Sequence, residues 1–287
     1  MTHKQLALQA DEIREDIIKM LVEAGSGHSA GPLGLADIFT ALYFEILNHR
    51  PKQPDWPERD RLVLSNGHTV PVRYATMARA GYFPVAELKT LRKLGSRLQG
   101  HPERVRLPGL ETTSGPLGSG LSQAAGMALA LRMNHSTSRV YCITGDGELD
   151  EGNIWEAVMF AAAKKLNNLT AIVDRNNIQI DGPTELVMPL DDLAAKWAAF
   201  GWHVIEIDGH NFEAIISACN LAKAVVERPT VIISHDIPGK GVDYMEYNYH
   251  WHGYFMDVPG APPKEDQARI ALKELRTLGG QIRSEHE

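Results

Sequence analysis

Apolar residues recur along the chain in two rhythms that alternate. Short runs rich in β-branched residues predict five strands, and segments with apolar residues at helical spacing separate them. The predicted strands are residues 62–65, 140–144, 170–174, 202–207 and 230–234. Because strands and helices alternate, the pattern predicts an α/β fold with a doubly wound parallel sheet flanked by helices.

The helical segments are amphipathic or rich in small residues. They are predicted over residues 4–24, 33–48, from 69 onward, 84–98, 121–133, 151–166, 191–200, 212–227 and 264–284. Neither an internal repeat nor a domain boundary is evident, so residues 1–287 are expected to form a single domain. Its C-terminal part, 236–287, combines an irregular aromatic segment with the last helix.

Composition and charge narrow the possible functions. The net charge is −7 and no dense basic run occurs, which argues against a nucleic-acid surface. Cys142 and Cys219 lie within predicted apolar elements and are expected to be buried free thiols. The N-terminus lacks an apolar signal core and no long apolar span follows, so we expect a cytoplasmic protein.

The stretch 141–182 reads as strand, glycine turn, helix, strand and polar turn. Asp146 follows the first strand, and Asp174 and Asn176 end the second. The carboxyl ends of parallel strands meet at one sheet edge, where open α/β sheets bind ligands. Magnesium prefers oxygen ligands and phosphate. Gly145 and Gly147 leave room for a diphosphate, so the unit predicts a magnesium–diphosphate site.

Other loops carry glycine and histidine. His28 lies in a glycine- and serine-rich loop, His68 follows a predicted strand, and a loop with three glycines around Pro116 precedes the helix at 121. A helix N-terminus can bind phosphate through its backbone N–H groups. Taken singly, the loops also fit linkers, and the histidines also fit surface positions.

Taken together, these motifs resemble the N-terminal, diphosphate-binding half of transketolase, including the thiamine diphosphate signature of GDG followed about thirty residues later by asparagine. The matching segments occur in the family's order and are SGH at 26–28 with GPLG at 31–34, SNGH at 65–68, GHPE at 100–103, GPLGSG at 115–120, GDGELDEG at 145–152, 174–182 and WHG at 251–253.

The resemblance implies a role for each matching residue. Asp146, Asn176 and the Ile178 carbonyl would bind the metal. The diphosphate would be bound by His68, Gly145, Gly147 and His252, and the thiazolium and aminopyrimidine would be contacted by Gly115 and Leu117. The sugar would be contacted by the catalytic histidines His28, His101 and His252. Glu151 would lie beside the cofactor, and Glu151 and Glu156 would lie at a subunit interface that links two active sites.

The resemblance further implies a transketolase of carbohydrate metabolism, as in the pentose phosphate pathway, that transfers a two-carbon ketol (glycolaldehyde) unit from a ketose phosphate to an aldose phosphate. Its cofactors would be thiamine diphosphate and Mg²⁺, or Ca²⁺ or Mn²⁺. The family's cofactor-activating glutamate belongs to a second domain without a counterpart here. We therefore expect a split enzyme that is active only with a separate C-terminal, pyrimidine-binding subunit, in an α2β2 assembly, without nucleic-acid or membrane partners.

Two alternatives stay open at this point. The chain could be a catalytically silent cofactor-binding scaffold, or a subunit of a 2-oxo acid dehydrogenase or a deoxyxylulose-phosphate-synthase-like enzyme. The set of His28, His101 and His252 favours ketol transfer, because an imidazole can donate or accept one proton near neutral pH. Sugars with a branched or sulfonated skeleton are also open as substrates.

Overall fold

Five parallel strands form the centre of the protein in a computed structural model that describes residues 1–253 and 258–279. The strands of the chain are β1 (Arg61–Leu64), β2 (Val140–Gly145), β3 (Leu169–Arg175), β4 (Ile178–Gln179), β5 (Gly182–Pro183), β6 (His203–Asp208) and β7 (Thr230–His235). The central sheet has the order β1–β2–β3–β7–β6, and β4 pairs with β5 in a separate antiparallel ribbon. The predicted parallel α/β sheet is confirmed.

Helices cover both faces of this sheet. They are α1 (His3–Ala24), α2 (Ala30–Gly34), α3 (Ala36–Ala41), α4 (Val70–Arg79), α5 (Ser119–Met133), α6 (Gly152–Ala163), α7 (Thr184–Val187), α8 (Leu193–Ala199), α9 (Phe212–Ala224) and α10 (Lys264–Leu278). Helices α1, α3, α4 and α9 pack on one face, and α5, α6 and α8 pack on the other. Among the described residues, the helices are too short or too polar to cross a membrane.

Side chains of β2 alternate between two apolar cores. Tyr141 and Ile143 belong to the core beneath α1 and α4, whereas Val140 and Cys142 belong to the core beneath α5 and α6. Both faces of a parallel strand are buried, which explains why the sequence of β2 is an almost continuous apolar run. Cys142 and Cys219 are buried free thiols, as expected.

The helix predicted over residues 84–98 is wrong beyond residue 90. A short 3₁₀ segment, Val85–Thr90, is followed by turns in which Arg92 has φ of 60° and Gly95 has φ of 81°. These left-handed conformations interrupt a right-handed helix. Leu94 is fully exposed, so the apolar spacing of this segment does not mark one continuous buried face.

Other helices also differ from prediction at their ends. Those predicted over 151–166 and 212–227 end three residues earlier, at Ala163 and Ala224. The second helical segment begins at Ala30 because Pro32 is tolerated in a first helical turn. It is interrupted at Leu35, between α2 and α3, and closes with one π-helical turn, Leu42–Ile46. The last helix ends at Leu278 with Gly279 in the left-handed conformation, and its predicted continuation over 280–284 lies outside the described residues.

A buried ion pair connects the N-terminal helices to the far strands. Arg14 of α1 and Asp37 of α3 are both fully buried and form two parallel hydrogen bonds. His210, after β6, lies 2.8 Å from Asp37 Oδ2 through Nδ1, while its Nε2 accepts the Ile237 N–H after β7 at 2.8 Å. The Nδ1 atom therefore carries the proton. Burial alone would raise the pKa of Asp37, but Arg14 and His210 outweigh it and lower that pKa.

Replacing this carboxylate should strongly destabilise the fold. We expect Asp37→Ala to lower the free energy of unfolding by about 3–5 kcal/mol, because the Arg14 guanidinium loses its buried counter-charge. Urea denaturation of wild type and variant measures the difference, with the exposed Glu227→Ala as control. A loss no larger than that of the control would contradict the structural role of this pair.

Candidate active site

A cleft of about 120 Å³ opens at the carboxyl ends of the central strands. In the β2–β3 register Gly145 lies beside Asp174, so the residues that follow each strand meet at one edge. The lining comprises Asn66, His68, Leu117, Gly145, Asp146, Gly147, Glu148, Asp174, Asn176, Ile178, Gln179, Ile180 and His252. Eight residues predicted for the site are in that set: His68, Leu117, Gly145, Asp146, Gly147, Asn176, Ile178 and His252.

Asp146 is almost completely buried in the turn after β2. Its Oδ1 accepts the Gly147 N–H at 2.7 Å, and its Oδ2 accepts the Asn177 N–H at 2.8 Å and an Arg175 guanidinium N–H at 3.1 Å. Burial raises the pKa of Asp146 to about 6, with Arg175 and the two backbone donors acting in the opposite direction. The turn therefore presents a carboxylate held in place by the next residue and by the end of β3 with the turn after it.

Asn176 and Ile178 complete the oxygen-bearing side of the cleft. Asn176 Nδ2 donates to Asp174 Oδ2 at 2.9 Å, and Asn176 Oδ1 accepts the Ile178 N–H at 3.1 Å. The side-chain amide is thus oriented by Asp174 on β3 and by the first residue of β4. This arrangement brings the three predicted metal ligands, Asp146, Asn176 and Ile178, to the same cleft.

Three histidines cluster on the other side. Ring centroids of His28 and His68 are 4.9 Å apart, those of His68 and His252 are 5.0 Å apart, and those of His28 and His252 are 5.9 Å apart. Burial lowers the pKa of His28 and of His252 to about 4 and also lowers the pKa of His68. All three rings are therefore neutral at neutral pH, each with one donor and one acceptor nitrogen.

Five predicted positions lie outside the cleft lining. His101 is exposed near the cluster, where a Cβ on Gly67 would come within 3.3 Å of its Cδ2. Gly115 borders open space, and Glu151 and Glu156 are exposed at and beyond the start of α6. His28 contacts the cluster rings without lining the cleft.

Sequence reasoning missed Glu148, which joins three segments of the site. This buried carboxylate accepts a hydrogen bond from Ser65 Oγ, one from the Gly118 N–H at 2.6 Å and one from the Gly145 N–H at 3.0 Å. Ser65 Oγ in turn accepts the Gly120 N–H at 3.1 Å. The signal available was an acidic residue directly after GDG, but its partners are distant in sequence.

The groups facing the cleft fit thiamine diphosphate with a divalent cation. Within the described residues, His252 Nδ1 and both side-chain amide atoms of Asn66 are buried without a hydrogen-bond partner. A Cβ on Gly147 would lie 3.2 Å from Gln179 Cβ, a tight contact that glycine avoids. Carboxylate and amide oxygens are the ligands that magnesium prefers. The donor set therefore suits an anionic diphosphate and its cation.

A parallel sheet with this turn, this asparagine and facing imidazoles defines the class of thiamine diphosphate-dependent proteins. The family model described as transketolase, thiamine diphosphate binding domain, matches residues 5–274. The chain belongs to the transketolase family and corresponds to the N-terminal, cofactor-binding part of such an enzyme.

Relatives of two lengths match the chain. A 6-deoxy-6-sulfo-D-fructose transketolase subunit from a Clostridium species is 46% identical over 97% of this chain and 100% of its own length. An apulose-4-phosphate transketolase subunit from Phocaeicola vulgatus is 39% identical over 97% of this chain and 98% of its own length. Human transketolase is 40% identical over 85% of the chain, which covers 39% of the human protein.

Solved structures show the same relation. Transketolase from Pichia stipitis in complex with sedoheptulose 7-phosphate superposes with a TM-score of 0.85 at 32% identity. The match covers 97% of this chain and 45% of the yeast chain. The chain therefore spans less than half of the long transketolases but the full length of those named as subunits.

The histidine cluster should make stability depend on pH. The pKa of buried His28 and of buried His252 is about 4 in the folded protein, against an ordinary value of 6.5. Between pH 6.5 and about 4 the unfolded chain therefore binds protons that the folded protein does not bind, so the free energy of unfolding decreases progressively as pH falls through that window. Above it, the penalty of these two rings is absent. We expect His252→Asn to lose less stability than wild type on acidification.

Urea denaturation at about pH 7 and about pH 5 measures this difference. Buried carboxylates such as Asp146, whose pKa is raised, act in the opposite sense in both proteins, so the variant-minus-wild-type difference isolates the imidazole. The exposed His3→Asn is the control and should behave as wild type. Equal acid sensitivity in His252→Asn and wild type would contradict a buried neutral ring.

Removing the charge of Glu148 should also destabilise the protein. In Glu148→Gln the amide NH₂ must face a backbone N–H, either that of Gly145 or that of Gly118, because both are donors to the present carboxylate. We expect a loss of about 1–3 kcal/mol in the free energy of unfolding from the unpaired donor. The exposed Glu156→Gln serves as the matched control. If the two variants unfold at the same urea concentration, the three-way contact has no energetic role.

Proposed function

We propose that this chain is the cofactor-binding subunit of a split transketolase that transfers a two-carbon ketol unit from a ketose to an aldose acceptor. The observation that carries the proposal is the meeting of Asp146, Asn176 and Ile178 with His68 and His252 at one cleft. When bound there, thiamine diphosphate supplies the carbon–carbon bond chemistry.

The protein's own groups have separate roles in this proposal. Asp146 and Asn176 side-chain oxygens and the Ile178 carbonyl would hold Mg²⁺, for which Ca²⁺ or Mn²⁺ could substitute. His68, His252 and the backbone around Gly145 and Gly147 would hold the diphosphate, where the two glycines leave the approach open. A metal at Asp146 would favour its ionised form despite burial.

His28, His101 and His252 would contact the sugar substrate. His28 and His252 are neutral imidazoles, and His101 is exposed beside them. A neutral imidazole can donate a hydrogen bond to one hydroxyl and take a proton from another, which suits cleavage of a ketol carbon–carbon bond. Gly115 and Leu117 would contact the rings of the cofactor.

A second chain would complete the active site. The long relatives contain more than twice the length matched here, whereas the relatives of matching length are named as subunits. We infer a separate C-terminal subunit with the pyrimidine-binding domain, two copies of each chain, and Glu151 and Glu156 at the interface. Residues 1–287 would act as one domain, in the cytoplasm.

The search for the donor sugar should extend beyond the ketoses of the pentose phosphate pathway. The relative of 46% identity is named for 6-deoxy-6-sulfo-D-fructose and the one of 39% identity for apulose 4-phosphate. A panel of donor sugars should therefore contain xylulose 5-phosphate, 6-deoxy-6-sulfo-D-fructose and apulose 4-phosphate. Consumption of any of these with an aldose acceptor, by this chain together with its C-terminal partner subunit, would support the proposal.

Substitution of His101 tests the catalytic role directly. We expect His101→Ala to lower the turnover of the assembled pair by about 100-fold, the lower range for loss of one acid–base group, with assembly unchanged by size-exclusion chromatography. The control is His3→Ala on the exposed start of α1. Unchanged turnover in His101→Ala would favour a scaffold, and a pair that decarboxylates pyruvate but ignores every ketose would overturn ketol transfer.

A further inference from the structure

Asn66 is a fully buried polar residue whose side chain forms no hydrogen bond with the described residues. Its relative exposure is 0%, and neither Oδ1 nor Nδ2 has a hydrogen-bond partner among the described residues. Leaving a buried amide unpaired costs free energy, so such groups in native proteins usually have a partner. The missing partner must be sought where the side chain faces.

A local capping role does not account for this residue. Asn66 precedes the 3₁₀ turn Gly67–Thr69, the position where asparagine commonly caps a helix by accepting a backbone N–H. Here the side chain makes no such bond. The Thr69 N–H and hydroxyl both donate to the Asn66 backbone carbonyl, at 2.9 Å each, and any residue would supply that oxygen.

The position of Asn66 points its amide toward the cofactor cleft. In the β1–β2 register Leu64 lies beside Ile143, so the chain after β1 runs next to the turn after β2. A Cβ on Gly145 would be 3.9 Å from Asn66 Nδ2. Asn66 lines the cleft together with His68, Asp146 and Gly147.

We propose that the Asn66 side-chain amide donates a hydrogen bond from Nδ2 to a diphosphate oxygen of the cofactor. The inference rests on the proposed function and adds a ligand contact at the end of β1, beside those from β2 and β3. An amide suits this place because it donates without carrying charge. An aspartate of the same shape would put a negative charge against the diphosphate.

Substitution of Asn66 should weaken ligand binding without lowering thermal stability, so the two properties are measured separately. The full chain is titrated with thiamine diphosphate and with inorganic pyrophosphate, each with Mg²⁺, by isothermal titration calorimetry, and thermal unfolding is followed without ligand. We expect Asn66→Ala to bind both ligands about 10-fold more weakly, as for loss of one hydrogen bond to a charged oxygen. Asn66→Asp should bind more weakly still.

Thermal stability should move differently. Asn66→Ala should unfold at the wild-type temperature or above it, because no bond is lost and an unpaired buried amide is removed. Asn168→Ala is the matched control: Asn168 Nδ2 donates to the Ala128 carbonyl at 2.9 Å, at the opposite edge of the sheet. That variant should lose stability and keep wild-type affinity.

The outcomes distinguish this inference from the proposed function. If wild type binds both ligands and Asn66→Ala binds them equally well, the Asn66 contact is refuted while the proposed function stands. If Asn66→Ala loses stability as Asn168→Ala does, the residue has a structural role and the inference is also refuted. If wild type binds neither ligand, both the inference and the proposed cofactor site fail.

Discussion

The parallel pairing of β2 with β3 is the constraint on which the site depends. Gly145 lies beside Asp174 in this register, and the Asp146 N–H donates to the Asp174 carbonyl at 3.1 Å, one residue beyond β2. The turn therefore starts while the backbone is still tied to β3. A one-residue slip would reverse the faces of every side chain on the strand and would separate Asp146 from Asn176.

The same edge concentrates buried carboxyl groups whose ionisation is opposed by burial and by one another. Asp146, Asp174 and Asp236 are all nearly inaccessible to solvent. Burial and the nearby Asp146 raise the pKa of Asp174, and burial and Asp174 raise the pKa of Asp236. Arg175 pairs with Asp146, and its other nitrogen contacts Glu185. Because metal binding and carboxylate ionisation are coupled, a divalent cation at this edge would offset part of the cost of burying these groups.

The sequence predicted the strands well because each buried strand is a β-branched apolar run, and it predicted the cleft because motif residues occupy strand ends. Its failures have physical reasons. Residues 84–98 show apolar spacing, yet Leu94 is exposed and Gly95 turns the chain. Glu148 and Asn66 could not be recognised as site residues from the sequence. The role of Glu148 depends on hydrogen bonds to residues that are distant in sequence, and that of Asn66 depends on a buried side chain without a hydrogen-bond partner.

The two sides of the cleft differ in charge. The side near Asp146 holds carboxylate and amide oxygens with backbone N–H groups, a set that suits a cation and a diphosphate together. The imidazole side is kept neutral by burial, so His68 and His252 would contact a diphosphate through N–H donors without a full positive charge. Neutral rings offer one donor and one acceptor each. Protonating this cluster would place like charges about 5 Å apart, so its close packing itself favours the neutral form of the rings.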